Sequence, residues 1–257
     1  MRMPVLFVGH GSPMNAIETN TFTSQWEALS AQIPRPKAIL AVSAHWYTEG
    51  TRTHDAPHPK TVYDMYGFPP ELYRVTYPAQ GAPELARRTA GLLPVPAAID
   101  NGWGYDHGAW SVLVHMYPQA DIPVYQLSVD HSASAQEHFK MGQALSALRE
   151  EGVLILGSGN VVHNLALVKW GMRGGYPWAL TFDRYIRDCI MEGHFHKAVA
   201  YEEAGDAARL AFYTPDHYDP LLYVLGAAQP GEAVSVFNES CIMGALSMTG
   251  YLIGATV

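Results

Sequence analysis

Histidine is the residue type in this sequence whose placement could carry chemistry. The chain of 257 residues has 12 histidines but only five lysines, and a neutral imidazole can bind a metal ion or move a proton near neutral pH. Three histidines each follow an apolar run that predicts a β-strand: His10 after residues 4–8, His45 after residues 38–42, and His163 after residues 153–156. Imidazoles in three corresponding positions predict one shared site.

Two further histidines are candidates for the same site. His107 stands between Asp106 and Gly108 at the start of a predicted helix, and His217 lies in the segment TPDHY before another helix. Glycines flank His10, and Gly157 and Gly159 precede His163. Such glycines permit either sharp strand-to-helix turns or close approach of the backbone to a ligand.

An imidazole-rich site without thiolates suits Zn(II) or non-haem Fe(II). The sequence contains no GxGxxG, GxxxxGK[ST], HExxH or GxSxG motif, which disfavours dinucleotide, nucleotide and serine-hydrolase chemistry. His54 and His58 lie in a proline-rich loop without a further ligand, so they are not expected to bind metal. Cys189 and Cys241 are expected to be reduced core residues.

The order of predicted elements indicates an α/β fold. Strands are expected at residues 4–8, 38–42, 97–99, 123–129, 153–156 and 234–237, and helices at 22–33, 83–93, 108–116, 135–150, 179–192, 207–212 and 220–225. Residues 50–80 show no clean period and predict a long ordered loop. We expect a single domain, residues 1–257, with a mostly parallel or mixed sheet flanked by helices. Its ligands would bind at the carboxyl ends of the strands.

Charge and hydropathy exclude several partners. The formal charge is -8, with 16 basic and 24 acidic residues, and the basic residues are scattered, so no nucleic-acid partner is expected. No apolar run approaches the roughly 18–20 residues that span a bilayer. We therefore expect a cytoplasmic protein without a membrane partner. The sequence predicts no particular oligomeric state.

Five short motifs, taken together, resemble a known family. They are GHGSP at 9–13, SAHW at 43–46, DHG at 106–108, GSGNVVHN at 157–164 and TPDHY at 214–218. In this order and spacing they are similar to the class III extradiol ring-cleavage dioxygenases, and most closely to the bacterial 4,5-DOPA dioxygenase branch. The resemblance extends from residue 3 nearly to the C-terminus.

The resemblance implies one divalent metal, Fe(II) when active and often Zn(II) as isolated. It places His10 and His45 on the metal with His217 as third ligand, and His163 beside them, either coordinating or acting as acid/base. His107 matches the acid/base histidine of related enzymes. The wider class uses two histidines and one carboxylate, so Glu239 is an alternative third ligand.

The implied reaction opens a catechol such as L-DOPA next to its hydroxyls (4,5-cleavage) with O2, and His107 and His163 would supply base and acid. Two alternatives are a Zn-dependent hydrolase at the same site and a non-enzymatic, Memo-like binding module with the same fold. The aromatic residues of segment 63–69, with Trp46 and Trp103, either wall an apolar slot for a planar ring or belong to the core.

Overall fold

The computed structural model describes residues 2–255. Its strands are β1 (Val5–Gly9), β2 (Ala38–Thr48), β3 (Thr51–Thr53), β4 (Ala97–Ile99), β5 (Val124–Asp130), β6 (Val153–Gly159), β7 (Val234–Phe237), β8 (Cys241–Ile242), β9 (Leu246–Ser247) and β10 (Gly250–Ile253). Its helices are α1 (Thr21–Gln32), α2 (Pro83–Leu92), α3 (His107–Met116), α4 (Ala135–Glu150), α5 (Pro177–Met191), α6 (Phe195–Val199), α7 (Asp206–Ala211) and α8 (Asp219–Ala227).

Eight of these strands form one mixed sheet in the order β4-β3-β5-β2-β6-β1-β10-β7. The central strands β5, β2, β6 and β1 run parallel, whereas β10 is antiparallel to both β1 and β7. This arrangement confirms the predicted α/β class with a mixed sheet. The first two strands of the chain, β1 and β2, are not neighbours in the sheet, because β6 lies between them.

Both faces of the central sheet are buried, as the continuous apolar runs predict. Along β1, Val5 and Phe7 join the core on one face, while Leu6 and Val8 join the core on the other. Helices α4, α5 and α8 cover the first face, and α1 and α3 cover the second. Successive side chains of β1 point to opposite faces of the sheet, so the strand is held between two helical layers. These contacts also fix the position of His10, which follows the strand.

Strand β2 is longer than its sequence indicates. It continues to Thr48 with an irregular register between Val42 and Tyr47, so His45 lies inside the strand rather than after it. A β-bulge inserts an extra residue and re-aims nearby side chains. His45 lies within this irregular stretch.

The predicted loop at residues 50–80 contains the short strand β3 and a single helical turn at Leu72–Arg74 but is otherwise irregular. Both cysteines are free and buried, as expected. Every helix within residues 2–255 is too short or too polar to cross a membrane.

Candidate metal centre

The structure brings His10, His45 and His217 together at the carboxyl edge of the sheet. His10 follows β1, His45 lies at the irregular part of β2, and His217 ends a single helical turn, Pro215–His217, just before α8. One ligating nitrogen from each lies within 4.8 Å of the others. Three positions far apart in sequence therefore converge on one point.

The end of β6 holds the backbone of His217 in place. The Asn160 N–H donates to the His217 carbonyl at 2.8 Å, and a Cβ on Gly159 would lie 2.0 Å from that same carbonyl oxygen. Gly159 is thus required for close approach to the backbone of His217, rather than to a ligand as the sequence suggested. Gly11 instead serves a turn, since its φ is +62°.

The hydrogen bonds behind the three rings define which nitrogen carries the proton. The Ser158 hydroxyl donates to the Gly108 carbonyl at 2.6 Å, so it can only accept from His10 Nδ1 at 3.0 Å. His217 Nδ1 lies 2.5 Å from the Asp216 carboxylate. His45 Nδ1 lies 3.1 Å from the carboxylate of Asp64. Each Nδ1 is therefore protonated, which leaves a lone pair on each Nε2.

The Nε2 atoms fit a metal ion. His10 Nε2 and His45 Nε2 lie 3.1 Å apart, and two lone pairs at this distance repel unless a cation lies between them. Nitrogens that share a metal at about 2.0–2.1 Å have a comparable separation. His217 Nε2 is buried and has no hydrogen-bond partner within residues 2–255. A shared divalent cation would give all three atoms a partner.

Burial favours the neutral form of His10 and His45. It lowers the pKa of His10 well below the usual value, and the neighbouring His217 and His107 lower it further. Burial and then His107 likewise lower the pKa of His45. Burial acts to raise the pKa of Asp216, but the hydrogen bond and the charge interaction with His217, together with the hydrogen bond from Thr214 and the charge of His163, outweigh burial and lower it. His10 and His45 thus favour the uncharged form that binds metal.

His107 stands beside the three histidines without joining their group. Its ring centre is 3.8 Å from that of His45 and 5.4 Å from that of His10. The carboxylate of Asp64 accepts from His107 Nδ1 at 2.7 Å and from its backbone N–H at 2.9 Å. These bonds leave His107 Nε2 free to accept a proton. The arrangement suits a base next to a metal.

Asp106 fixes the start of α3, and with it His107. The Asp106 side chain caps the helix by accepting from the Ala109 N–H, and it also accepts from Ser43 Oγ at 2.6 Å, Gln126 Nε2 at 2.9 Å and Trp103 Nε1 at 3.1 Å. Burial raises its pKa, helped by the nearby Asp64. Trp103 therefore has a structural partner here, and Trp46, which stacks on it, is buried.

His163 packs face to face with His217, with ring centres 3.4 Å apart and planes inclined by 5°. Its nitrogen lies within 4.8 Å of atoms on Asp216 and His217, but it is not in the group formed with His10 and His45. Burial and then His217 lower the pKa of His163 well below the usual value. All five predicted histidines thus meet at one edge of the sheet.

The remaining candidates lie elsewhere. Glu239 forms an ion pair with Arg187, and its side chain is 49% exposed. It belongs to none of the metal-capable groups found within residues 2–255. His54 accepts from the Gln126 N–H at 3.1 Å, and burial lowers its pKa to about 4. His54 is therefore a buried core residue.

Sequence reasoning missed Asp64, Asp216 and Ser158 as partners of the site. Asp216 carried a local signal, because it directly precedes His217 in the sequence. Ser158 lies in the glycine-rich end of β6. Asp64 lies 43 residues before His107 in a loop without periodicity, so only the folded chain reveals their contact.

Comparison with known proteins agrees with this geometry. Residues 4–249 match the family described as the catalytic LigB subunit of aromatic ring-opening dioxygenase. The chain belongs to the LigB family. The match confirms the resemblance in the sequence to the class III extradiol dioxygenases.

Relatives of the chain in this family match over nearly the whole length. The 4,5-DOPA dioxygenase extradiol of Escherichia coli (strain K12) is 49% identical over 259 residues, covering 98% of this chain and 95% of that protein. The enzyme of the same name from Beta vulgaris is 38% identical, covering 97% and 96%. A crystal structure of an uncharacterized protein of E. coli K12 superposes with a TM-score of 0.86 at 45% identity, covering 98% of this chain and 100% of that one.

The LigB chain described here is therefore an extradiol ring-cleaving dioxygenase. Enzymes of this family depend on a metal and act on a small molecule with O2. The hydrolase and binding-module alternatives lose their support. The cluster of histidines and aspartates at the sheet edge is the place where the structure could hold that metal.

Proposed function

We propose that this enzyme opens an L-DOPA-like catechol by 4,5-extradiol cleavage at a non-haem Fe(II) centre. The convergence of three Nε2 lone pairs beside a free base, His107, carries the proposal. The names of the relatives from E. coli and Beta vulgaris support the substrate class and the position of cleavage.

We assign His10, His45 and His217 as the metal ligands. Bound Fe(II) would supply electron transfer between a catecholate and O2, which side chains alone cannot provide. Three neutral ligands leave more positive charge on the metal than a set with one carboxylate, and Zn(II) suits the same nitrogens and is expected in protein as isolated.

His107 and His163 are the proposed acid/base pair. His107 Nε2 accepts a proton from a catechol hydroxyl, and the hydrogen bond to Asp64 places the proton of the neutral ring on Nδ1, which leaves the lone pair on Nε2. His163 lies flat against His217. Parallel rings direct their lone pairs in parallel rather than onto one ion, which favours proton transfer by His163; coordination as a fourth ligand is the alternative. Acid/base groups typically contribute about 10²–10⁴-fold in rate.

The surroundings of these residues favour the reaction further. His10, His107 and His217 are each 5% exposed or less, and exclusion of water strengthens electrostatic interactions at the site. We assign the whole chain, residues 1–257, to one catalytic domain. Its two free cysteines fit a reducing cytoplasm.

Anaerobic reconstitution tests this function. The apoprotein is loaded with Fe(II), L-DOPA is added, and air is then admitted while oxygen uptake and visible absorbance are recorded. We expect one O2 consumed per catechol and a yellow ring-opened product. A filled iron site that consumes no oxygen with L-DOPA, protocatechuate or other simple catechols would contradict the proposal and return weight to a zinc hydrolase.

A further inference from the structure

Asp64 joins a proposed metal ligand to the proposed base. Its Oδ2 atom accepts from His107 Nδ1 at 2.7 Å and lies 3.1 Å from His45 Nδ1. Its Oδ1 atom accepts from the His107 backbone N–H at 2.9 Å. The Asp64 side chain is only 9% exposed, so water competes little for these contacts.

The two carboxylate oxygens of Asp64 bind the backbone and the ring of His107, respectively. His107 is the first residue of α3, where the helix dipole favours a negative charge. One oxygen therefore fixes the backbone of His107 and the other fixes its ring. A carboxylate can only accept, so the proton of the neutral His107 ring must lie on Nδ1.

We propose that Asp64 is a positioning residue that holds His107 as the Nδ1–H tautomer and at the same time orients His45 toward the metal. This inference rests on the proposed function, in which His107 Nε2 accepts the catechol proton. The Asp64 carboxylate would thus have two roles. It orients the base His107, and it orients the metal ligand His45.

A simpler role would be mechanical, with Asp64 only fastening its loop to the start of α3. The two roles differ in whether the effect of Asp64 on turnover depends on the His107 ring. If Asp64 acts through that ring, its effect on turnover must vanish once the ring is removed. If Asp64 only fastens the loop, the effect persists.

The variant Asp64→Asn separates charge from shape. Its amide oxygen can still accept the His107 N–H, but its amide hydrogens then face His107 Nδ1 and shift the ring to the Nε2–H tautomer. We expect kcat at saturating Fe(II) to fall about 10²–10⁴-fold. We expect metal affinity to weaken about tenfold, because His45 loses a charged partner. Asp55→Asn, a change in the same loop that alters a pair with Arg87, should leave both quantities unchanged.

A double-variant cycle gives the decisive kinetic readout. In the His107→Ala background we expect Asp64→Asn to cause no further loss of kcat, while the tenfold loss of metal affinity remains. Losses of kcat that multiply across the two variants would overturn the proposal in favour of loop fastening.

A spectrum of the zinc-loaded protein tests the tautomer without turnover. With ¹⁵N-labelled histidine, a long-range ¹H–¹⁵N correlation should show His107 protonated at Nδ1 in the parent and at Nε2 in Asp64→Asn; the signal missing from His107→Ala assigns it. The same tautomer in both proteins would refute the inference. Absence of oxygen uptake by the iron-loaded parent would refute the proposed function alone.

Discussion

The three proposed metal ligands differ in the partner behind each ring. His10 donates to the neutral Ser158 hydroxyl, whereas His45 and His217 face the carboxylates of Asp64 and Asp216. A carboxylate behind an imidazole makes that ring a stronger donor and fixes its orientation. Sites of the wider class would place a carboxylate directly on the metal. Here the carboxylates instead contact the Nδ1 atoms of two ligating rings.

Loss of individual histidines should separate metal binding from turnover. We expect His10→Ala and His45→Ala to lose bound metal, because two remaining nitrogens cannot hold it at stoichiometric loading. His107→Ala should keep the metal and lose about 10²–10⁴-fold in kcat. Metal content by elemental analysis, together with oxygen uptake, measures both quantities.

Glu239→Gln is the matched control for these variants, and it should leave metal content and kcat unchanged because Glu239 pairs with Arg187 at the surface. Full metal occupancy in His10→Ala or His45→Ala would contradict the ligand assignment. Metal content in His163→Ala decides between its two roles: retention supports proton transfer, and loss supports coordination.

Residue types at strand ends were enough to predict that His10, His45 and His163 lie together, because parallel strands bring their carboxyl ends together. His107 and His217 were candidates from the segments around them, at the start of one predicted helix and before another. Asp64 could not be predicted in this way. Its partner His107 is remote in sequence, and the intervening loop has no hydrophobic period that fixes the path of the chain. Hydrogen-bond partners that loops supply to a site, such as Asp64, are determined by tertiary packing rather than by local sequence.

At the scale of elements, the site depends on how closely β6 approaches the turn that carries His217. Gly159→Ala would place a methyl group 2.0 Å from the His217 carbonyl oxygen, and backbone on backbone cannot relax by a rotamer change. We expect the variant to lose about 1–3 kcal/mol of unfolding free energy and to bind metal more weakly. Urea unfolding and metal titration measure these effects.

Gly91→Ala is the control, since it lies in α2 with open space around the added Cβ. There we expect a gain of about 0.5–1 kcal/mol from helix propensity and unchanged metal affinity. Equal behaviour of the two variants would mean that the contact between β6 and His217 has no effect on the site.

Most elements were predictable from apolar periodicity, but two features of the sheet were not. The register irregularity in β2 depends on pairing with β5 rather than on the sequence around His45. Strand β10 inserts antiparallel between β1 and β7. In sequence it is only a short apolar segment, and its partners are chosen by non-local packing.

At the scale of the whole molecule, a buried carboxylate distant from the metal makes stability depend on pH. Asp183 in α5 accepts from Ser247 Oγ and Thr249 Oγ1 at 2.5 and 2.8 Å. Burial raises its pKa from 3.8 to about 6, although both hydroxyls act to lower it. The folded state therefore binds this proton more tightly than the unfolded state.

The sign of the effect follows from that difference. The stabilising contribution of Asp183 is complete below pH 3.8 and is lost as pH rises through about 6. Asp183→Asn should remove this contribution to the pH dependence and be more stable than the parent above that range, by up to about 3 kcal/mol. Urea unfolding of metal-free protein at pH 5 and pH 8 measures it.

Glu49→Gln, at an exposed position, serves as the control. It should leave unchanged the difference in unfolding free energy between pH 5 and pH 8. If Asp183→Asn is destabilised equally at both pH values, the carboxylate is needed as a hydrogen-bond acceptor, and its protonation does not govern stability.

The position of β1 in the sheet also bears on the order in which the parts of the site are synthesised. Strand β1 is synthesised before its sheet neighbours β6 and β10, and His217 is translated about 10–40 s after His10 at ordinary elongation rates. The three proposed ligands are therefore present together only late in synthesis. We expect tight metal binding to require the folded chain, because the three nitrogens come from distant parts of the sequence.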